Sequence, residues 1–269
     1  MSSIASYENF IRIGVFAGVL AIMATLEALL PRKKRMQGRG HRWFANLGLV
    51  AIDSVAVRLL GPITALGAAE YASGKGWGLF AFVDLPVAIE IVAAVILLDL
   101  AIYGQHVASH RFSILWRFHK VHHADRDIDV TTGTRFHPVE IVLSMLYKCL
   151  IVLLLGPAVF AVFIFEVILN ATAMFNHSNV KLPAWLDRSI RTVLVTPDMH
   201  RVHHSVFQRE TDSNYGFSLS LWDKLFRTYI PQPKAGHDGM LIGLSEYQSS
   251  HPSQLGWCLS LPFRSSKKD

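Results

Sequence analysis

The sequence predicts an all-α fold: a polytopic bundle of membrane helices, with about four spans or two spans plus hairpins, under a histidine-rich helical cap on the cytosolic side. Three observations predict it. Of 269 residues, 51% are hydrophobic and 17% charged, where soluble globular chains carry roughly a quarter charged residues. The apolar residues collect in runs long enough to approach the thickness of a bilayer. Ten of the thirteen histidines lie between His106 and His204. Abundant apolar residues exclude a disordered chain. Two cysteines, Cys149 in an apolar run and Cys258 near the tail, exclude a disulfide scaffold.

The apolar runs come in order. Ile13 to Leu30 is 18 residues with one charge, Glu27; at about 1.5 Å per residue it nearly crosses a hydrocarbon core of about 30 Å. It does not read as a cleaved signal peptide. No basic region precedes it, and Pro31-Arg32-Lys33-Lys34-Arg35 follows it in place of a small-residue cleavage site. Phe44 to Leu66 is a second run, interrupted by Asp53 and Arg58. Leu79 to Tyr103 is a third, with Asp84, Glu90 and Asp99 inside it. Ile141 to Leu155 and Ala158 to Ala173 are separated by Gly156-Pro157, a dipeptide that breaks helices. They predict a helical hairpin, spanning or re-entrant. Lys148 and Glu166 fall at similar depth on its two arms, where pairing would make two intramembrane charges tolerable.

Lys and Arg set the orientation. Arg32, Lys33, Lys34, Arg35, Arg39 and Arg42 crowd the first loop, the segment Met1–Phe10 has none, and the loop from Gly67 to Gly78 has only Lys75. The positive-inside rule puts the basic loop in the cytoplasm. The third run then delivers His106 and His110 to the cytoplasmic face, and the hairpin returns His177 and His200 to His204 to it. The net charge of +6 is explained by this asymmetry, and no nucleic-acid motif occurs.

Four histidine groups stand out: His106-x-x-x-His110, His119-x-x-His122-His123, His177, and His200-x-x-His203-His204. On a helix, positions i, i+3 and i+4 share a face, so each run aims its imidazoles one way. The last group carries its own helix start, with Thr196 as N-cap, Pro197 at the first helical position and Asp198 in the first turn. Leu115, Trp116 and Phe118 before the second group suit a helix docked on an apolar neighbour. Nine imidazoles exceed the ligand capacity of one metal and imply two. The set lacks Glu-x-x-His pairs, so it is not a carboxylate-rich di-iron bundle. Asp99 and Tyr103 share the helical face of His106, and Asp99 is a candidate to accept the other ring N–H of a ligand. His137, in Arg135-Phe136-His137-Pro138, is a candidate for the same supporting role. His41, His237 and His251 stand alone and read as ordinary core histidines.

Asp99-x-x-x-Tyr103-x-x-His106-x-x-x-His110 followed by Leu115-Trp116-Arg117-Phe118-His119-Lys120-Val121-His122-His123 resembles the fatty acid hydroxylase and sterol desaturase superfamily of integral membrane enzymes. Asn176-His177-Ser178-Asn179, Thr196-Pro197-x-x-His200-Arg201-Val202-His203-His204, Asn214-Tyr215-Gly216 and Trp222-Asp223-Lys224-Leu225-Phe226 continue the likeness in the same order. It covers Ile89 to Tyr229, about half the chain. The resemblance implies two iron ions on the histidine boxes, with zinc as a substitute in purified protein. It implies O2 as co-substrate and attack on a C–H bond of a lipid (fatty acyl, sterol or related). Electrons would come from an external donor, a cytochrome, ferredoxin or reductase. Two departures are visible: Ala173 stands where some members have a further histidine, and Arg227 where members often have glycine.

The chemistry explains the ligand set. Zinc has no redox chemistry, so oxidising an unactivated C–H bond calls for another metal. Imidazole suits several metals, and only the resemblance selects iron. Residues 1–83 are then an N-terminal transmembrane hairpin and basic loop, 84–230 the histidine-box di-iron catalytic domain, and 231–269 a C-terminal tail. A desaturase on the same scaffold is the alternative outcome. A metal transporter or metal-stabilised membrane protein is a distant one, because the histidines cluster after the spans instead of lining them. The compartment would be the endoplasmic reticulum or a bacterial inner membrane, with the metal site facing the cytoplasm; Lys267-Lys268-Asp269 only loosely echoes a retrieval signal.

Overall fold

A computed structural model describes residues 2–264, with side chains from Tyr7 onward; the Lys267-Lys268-Asp269 motif lies outside the described residues. Among these residues there is no β-strand, only isolated bridges. Four helices are long and apolar enough to cross a membrane: Tyr7–Leu29, Val87–Arg111, Pro138–Leu155 and Val159–Asn176. This is an integral membrane protein, as the composition predicts. The chain falls into two compact units that interleave along the sequence. One comprises Met1–Gln37, Arg126–Thr134 and Val167–Gly243; the other comprises Gly38–Asp125, Arg135–Glu166 and Leu244–Asp269.

In the second of these units α6 (Pro138–Leu155) is the hub. Around it pack α2 (Arg39–Arg58), α3 (Ala65–Lys75), α4 (Val87–Arg111) and α5 (Ser113–His123). The run Phe44–Leu66 is not one span. Gly61 takes a left-handed φ of 63° and Pro62 has no N–H to continue a helix. α3 restarts at Ala65, capped by the Thr64 hydroxyl, which accepts from Gly67 N at 3.1 Å. Three of the five buried residues of α2 are polar, Arg42, Asn46 and Asp53, beside Ala45 and Leu49. The third run also shifts, because Pro86 opens α4 and Leu79–Phe82 forms a 3-10 turn before it.

The predicted hairpin is present. α6 ends at Gly156, in left-handed conformation with φ 61°, and α7 (Val159–Asn176) follows Pro157. Its tip is fastened within the unit. Glu90 of α4 accepts from Ala158 N at 2.9 Å. The backbones of Gly78 and Gly156 touch so closely that a Cβ on Gly78 would sit 2.3 Å from the Gly156 nitrogen. At the opposite end lie the last turns of α4, bearing His106 and His110, and the first turn of α6, bearing Glu140. Outward, Val139, Leu143, Leu146, Leu150 and Leu154 form an exposed stripe along α6 at three- and four-residue spacing, the apolar face a lipid environment would cover.

α5 and the C-terminal residues share one core. Leu49, Val121, Ala124, Leu244, Tyr247, Trp257, Cys258 and Leu261 pack together, with Trp116 against them. Leu244, Tyr247, Trp257, Cys258 and Leu261 thus belong to the packed core of this unit. Beneath this core Arg42 meets Asp125 through two 2.8 Å contacts. Arg135 donates to the Val121 carbonyl, to Asn46 Oδ1 and to the Pro252 carbonyl, each at 2.8 Å.

The other unit holds α1 (Ser2–Leu29), the last turns of α7, α8 (Ala184–Ile190) and α9 (Pro197–His203). Glu27, the single charge of the first apolar run, is fully buried. Its Oε1 accepts from Val130 N at 2.7 Å and Asn179 N at 2.9 Å, and its Oε2 meets Arg35 at 3.1 Å. Arg32 joins Asp198 and Asp238. Three carboxylates, Glu27, Asp198 and Asp238, therefore take up part of the basic loop's charge.

Lys148 and Glu166 meet at 2.7 Å on the two arms of the hairpin, both nearly buried. Removing one partner of such a pair leaves an uncompensated charge and costs roughly 3–5 kcal/mol, whereas removing both is often near neutral. Lys148→Met is therefore expected to lower stability by about that amount, and Lys148→Met with Glu166→Gln to recover most of it. Reversible denaturant titration of the detergent-solubilised chain measures both.

Candidate metal centre

The nine predicted ligands are buried or nearly so. In the unit around α6, His106 and His110 come from the end of α4, and His119, His122 and His123 from α5. One-residue spacing at Phe112 lets α5 start at once after α4. Ligand nitrogens of His106, His110, His119 and His123 lie within 4.8 Å of one another. Their ring centroids are 4.8–5.2 Å apart. His122 follows at 5.4 Å from His119 and 5.3 Å from His123.

In the unit around α9, His177 ends α7, and His200, His203 and His204 come from α9 and its C-cap. The helix start is the predicted one. Thr196 Oγ1 accepts from Met199 N at 3.3 Å and Pro197 opens the first turn. His177, His200 and His204 place ligand nitrogens within 4.8 Å of each other, and His203 lies 5.0 Å from His200 between ring centroids.

The oxygens behind the rings choose the tautomers. His122 Nδ1 donates to the Arg135 carbonyl at 3.2 Å. His177 Nδ1 donates to the Ala173 carbonyl at 2.7 Å, and His203 Nδ1 to the Ser213 carbonyl at 2.7 Å. His119 Nδ1 meets Glu140 Oε1 at 2.6 Å. A ring nitrogen facing a carbonyl must carry the proton, so Nε2 keeps the lone pair that a metal needs. The donor set fits a metal. His119 Nε2 is buried with no hydrogen-bond partner, and Nε2 of His177 faces Nε2 of His200 at 3.0 Å. Buried imidazoles with inward lone pairs are a costly polar core unless a cation satisfies them.

Each carbonyl is itself held in place. Gly133 lies against the Ala173 peptide, where a Cβ would be 2.5 Å from the carbonyl oxygen. Ser213 opens the turn Asn214-Tyr215-Gly216. Asn214 takes a left-handed φ of 49°, which Asn tolerates better than most residues, and its side-chain amide donates to the carbonyls of Met199 and Ile230. Asp223 accepts from Tyr215 N and Gly216 N at 2.8 Å each and from Thr228. Arg227, where the resemblance expects glycine, has φ 60°, the conformation glycine adopts without strain.

The supporting residues differ in place. Asp99 and Tyr103 are buried on α4 with His106. His137 Nε2 faces the Leu259 carbonyl at 3.2 Å, and its Nδ1 accepts from Val139 N, capping α6. Sequence reasoning missed Glu140, whose signal was an acid in the first turn of an apolar helix. It also missed the backbone acceptors, which no side chain announces. His41 and His251 are exposed instead of lying in the core. His237 is buried beside Asp198 at 3.6 Å. Burial above all, with the charges of Arg201 and Arg32, pushes its pKa down to about 4 against the pull of Asp198.

The sequence profile of a family described as fatty acid hydroxylase matches residues 91–228, just over half the chain. Among curated proteins, the chain is 26% identical over 226 residues to the ornithine lipid hydroxylase OlsE of Rhizobium tropici, covering 82% of this chain and 67% of that protein. It is 31% identical over 141 residues to the alkylglycerol monooxygenase of Xenopus tropicalis, 50% of this chain and 29% of that one. To the Homo sapiens alkylglycerol monooxygenase it is 27% identical over 154 residues, 55% and 31% respectively. The chain thus spans about two thirds of the first relative and under a third of the other two. No solved structure matches.

Two outcomes follow from this geometry. Gly133→Ala forces a methyl into a rigid peptide, so stability should fall by about 1–3 kcal/mol; thermal unfolding and bound-metal analysis read the effect. His237 stays neutral when folded and binds a proton more readily when unfolded. Its contribution is complete above pH 6.5 and is lost as pH falls toward 4. His237→Gln should flatten that part of the stability–pH curve, and an unchanged slope would remove His237 as its source.

Proposed function

Because this chain belongs to the fatty acid hydroxylase family, we propose that it is a membrane oxidoreductase that hydroxylates a C–H bond of a lipid with O2. The reading assigns two iron ions to His106, His110, His119, His122, His123, His177, His200, His203 and His204. What carries it is the set of buried imidazoles whose Nδ1 protons are turned toward oxygen acceptors, leaving Nε2 for metal. Iron bound by such a set would supply the redox chemistry that reduces O2 and oxidises an unactivated C–H bond.

The chain's own residues account for the rest. α4 and α5 hold five imidazoles at one end of apolar helices, so a lipid chain in the bilayer reaches the ligands without leaving an apolar environment. The protein positions the rings and withholds protons from their Nε2 atoms. Overall the lipid C–H, O2, two electrons and two protons become a C–OH and water; the two electrons come from an external donor such as a cytochrome, ferredoxin or reductase. The relatives' named activities, hydroxylation and mono-oxygenation, favour oxygen insertion over desaturation. The substrate on this reading is a membrane lipid with a long aliphatic chain. The basic loop Arg32–Arg42 favours a cytoplasmic placement of the histidines, in a bacterial inner membrane or the endoplasmic reticulum.

Lipids from cells with and without the chain, grown under isotopically labelled O2, test the proposal. A lipid gaining one labelled oxygen supports it; a product that only loses two hydrogens turns it toward a desaturase. His122→Ala should abolish the product and lower bound iron, and full turnover in that variant would place the chemistry elsewhere.

A further inference from the structure

The geometry points to Glu140 as the residue that positions His119 for metal binding, through one charge-assisted hydrogen bond between its Oε1 and His119 Nδ1. The inference rests on the di-metal reading above and adds to it a residue outside the histidine boxes. Four observations carry it. The contact is 2.6 Å long, at the short end expected when one partner is ionised. The two side chains come from different elements, α5 and the first turn of α6, so the bond fixes the ring against a rigid support. The opposite ring nitrogen, Nε2, is buried and without a partner. The segment leading to Glu140 is devoted to the same helix: the Arg135 carbonyl takes His122 Nδ1. Phe136 stacks on His122 at 4.7 Å between ring centroids and 5° between planes. His137 and Pro138 then start α6 so that its first turn carries Glu140 beside His119.

A carboxylate does more here than a carbonyl. It holds the Nδ1–H tautomer and makes the ring a stronger electron donor through Nε2. Glu140 sits in the first turn of α6, where the helix end favours a negative charge. That placement stabilises an anion that would otherwise be expensive to bury. The role is one of positioning, since Glu140 touches the ligand ring and not the metal itself.

The test uses the full-length chain in detergent and compares wild type with Glu140→Ala and Glu140→Gln. Zinc(II) affinity is measured by competition with a chromogenic chelator. Nitrogen NMR of histidine-labelled, metal-free protein reads the tautomer of His119. Loss of an orienting partner of this kind typically costs about 10- to 100-fold in metal affinity. Glu140→Ala should show that loss together with a shift of His119 away from the Nδ1–H form. Glu140→Gln, which keeps an oxygen acceptor but not the charge, should retain the tautomer and lose less affinity. A residue that only stabilised the start of α6 would lower the melting temperature and leave both readouts unmoved. Wild-type affinity and tautomer in Glu140→Ala overturn the inference. Should that variant not purify as a folded species, Glu140→Gln decides: weakened binding supports the role and unchanged binding overturns it. If the wild type binds no metal at all, the di-metal reading fails first and this inference with it.

Discussion

The constraint on which both units depend is the burial of clustered imidazoles, around α5 in one unit and around α9 in the other. A buried imidazole is costly unless its ring nitrogens are satisfied, and four of these rings meet an oxygen at Nδ1. The acceptors found are the Glu140 carboxylate and the carbonyls of Arg135, Ala173 and Ser213. Irregular chain is expensive to hold still, and this explains the density of side-chain anchors around it. Asn214 and Asp223 knot the turn that presents Ser213. Gly133 exists because the Ala173 peptide must lie against backbone. Arg135, buried and bonded to three backbone or amide oxygens, keeps the Arg135–Glu140 segment against α5.

The helices supply the rigidity that loops lack. α6 touches four other helices of its unit, its far end fastened through Gly156 and the Glu90–Ala158 bond. α4, 25 residues against 18 for α6, carries His106 and His110 in its last turns. Exposed leucines along α6 face outward while its first turn sets Glu140 beside His119, so one helix serves both the apolar surface and the histidine cluster. The buried ion pair of Lys148 with Glu166 sets the depth at which the two hairpin arms align.

The clustering of the histidines was legible because helical spacing brings His106 with His110, and each His-x-x-His-His run, to one face. The Thr196-Pro197 start of α9 was legible for the same local reason. Hydropathy overreached at Phe44–Leu66, where averaging hid the break at Gly61-Pro62 and the inward side chains Arg42, Asn46 and Asp53. Residues 231–269 read as a tail because Trp257, Cys258 and Leu261 gain meaning only against Leu49 and Val121, partners more than a hundred residues away. Asp99 was singled out by its spacing from His106. Glu140 was passed over, because its partner His119 lies on another helix and no spacing rule links them. Backbone acceptors leave no trace in residue identity at all.

Glu27 gives the first apolar helix a duty beyond anchorage. Its buried carboxylate grips the peptide nitrogens of Val130 and Asn179, the latter two residues from His177. Exchanging α1 for an unrelated anchor of equal length and greasiness would keep the polypeptide in its bilayer yet leave two amides stranded, one of them two residues from His177. Chimeras and re-engineered expression scaffolds must therefore treat that helix as part of the reaction vessel's wall.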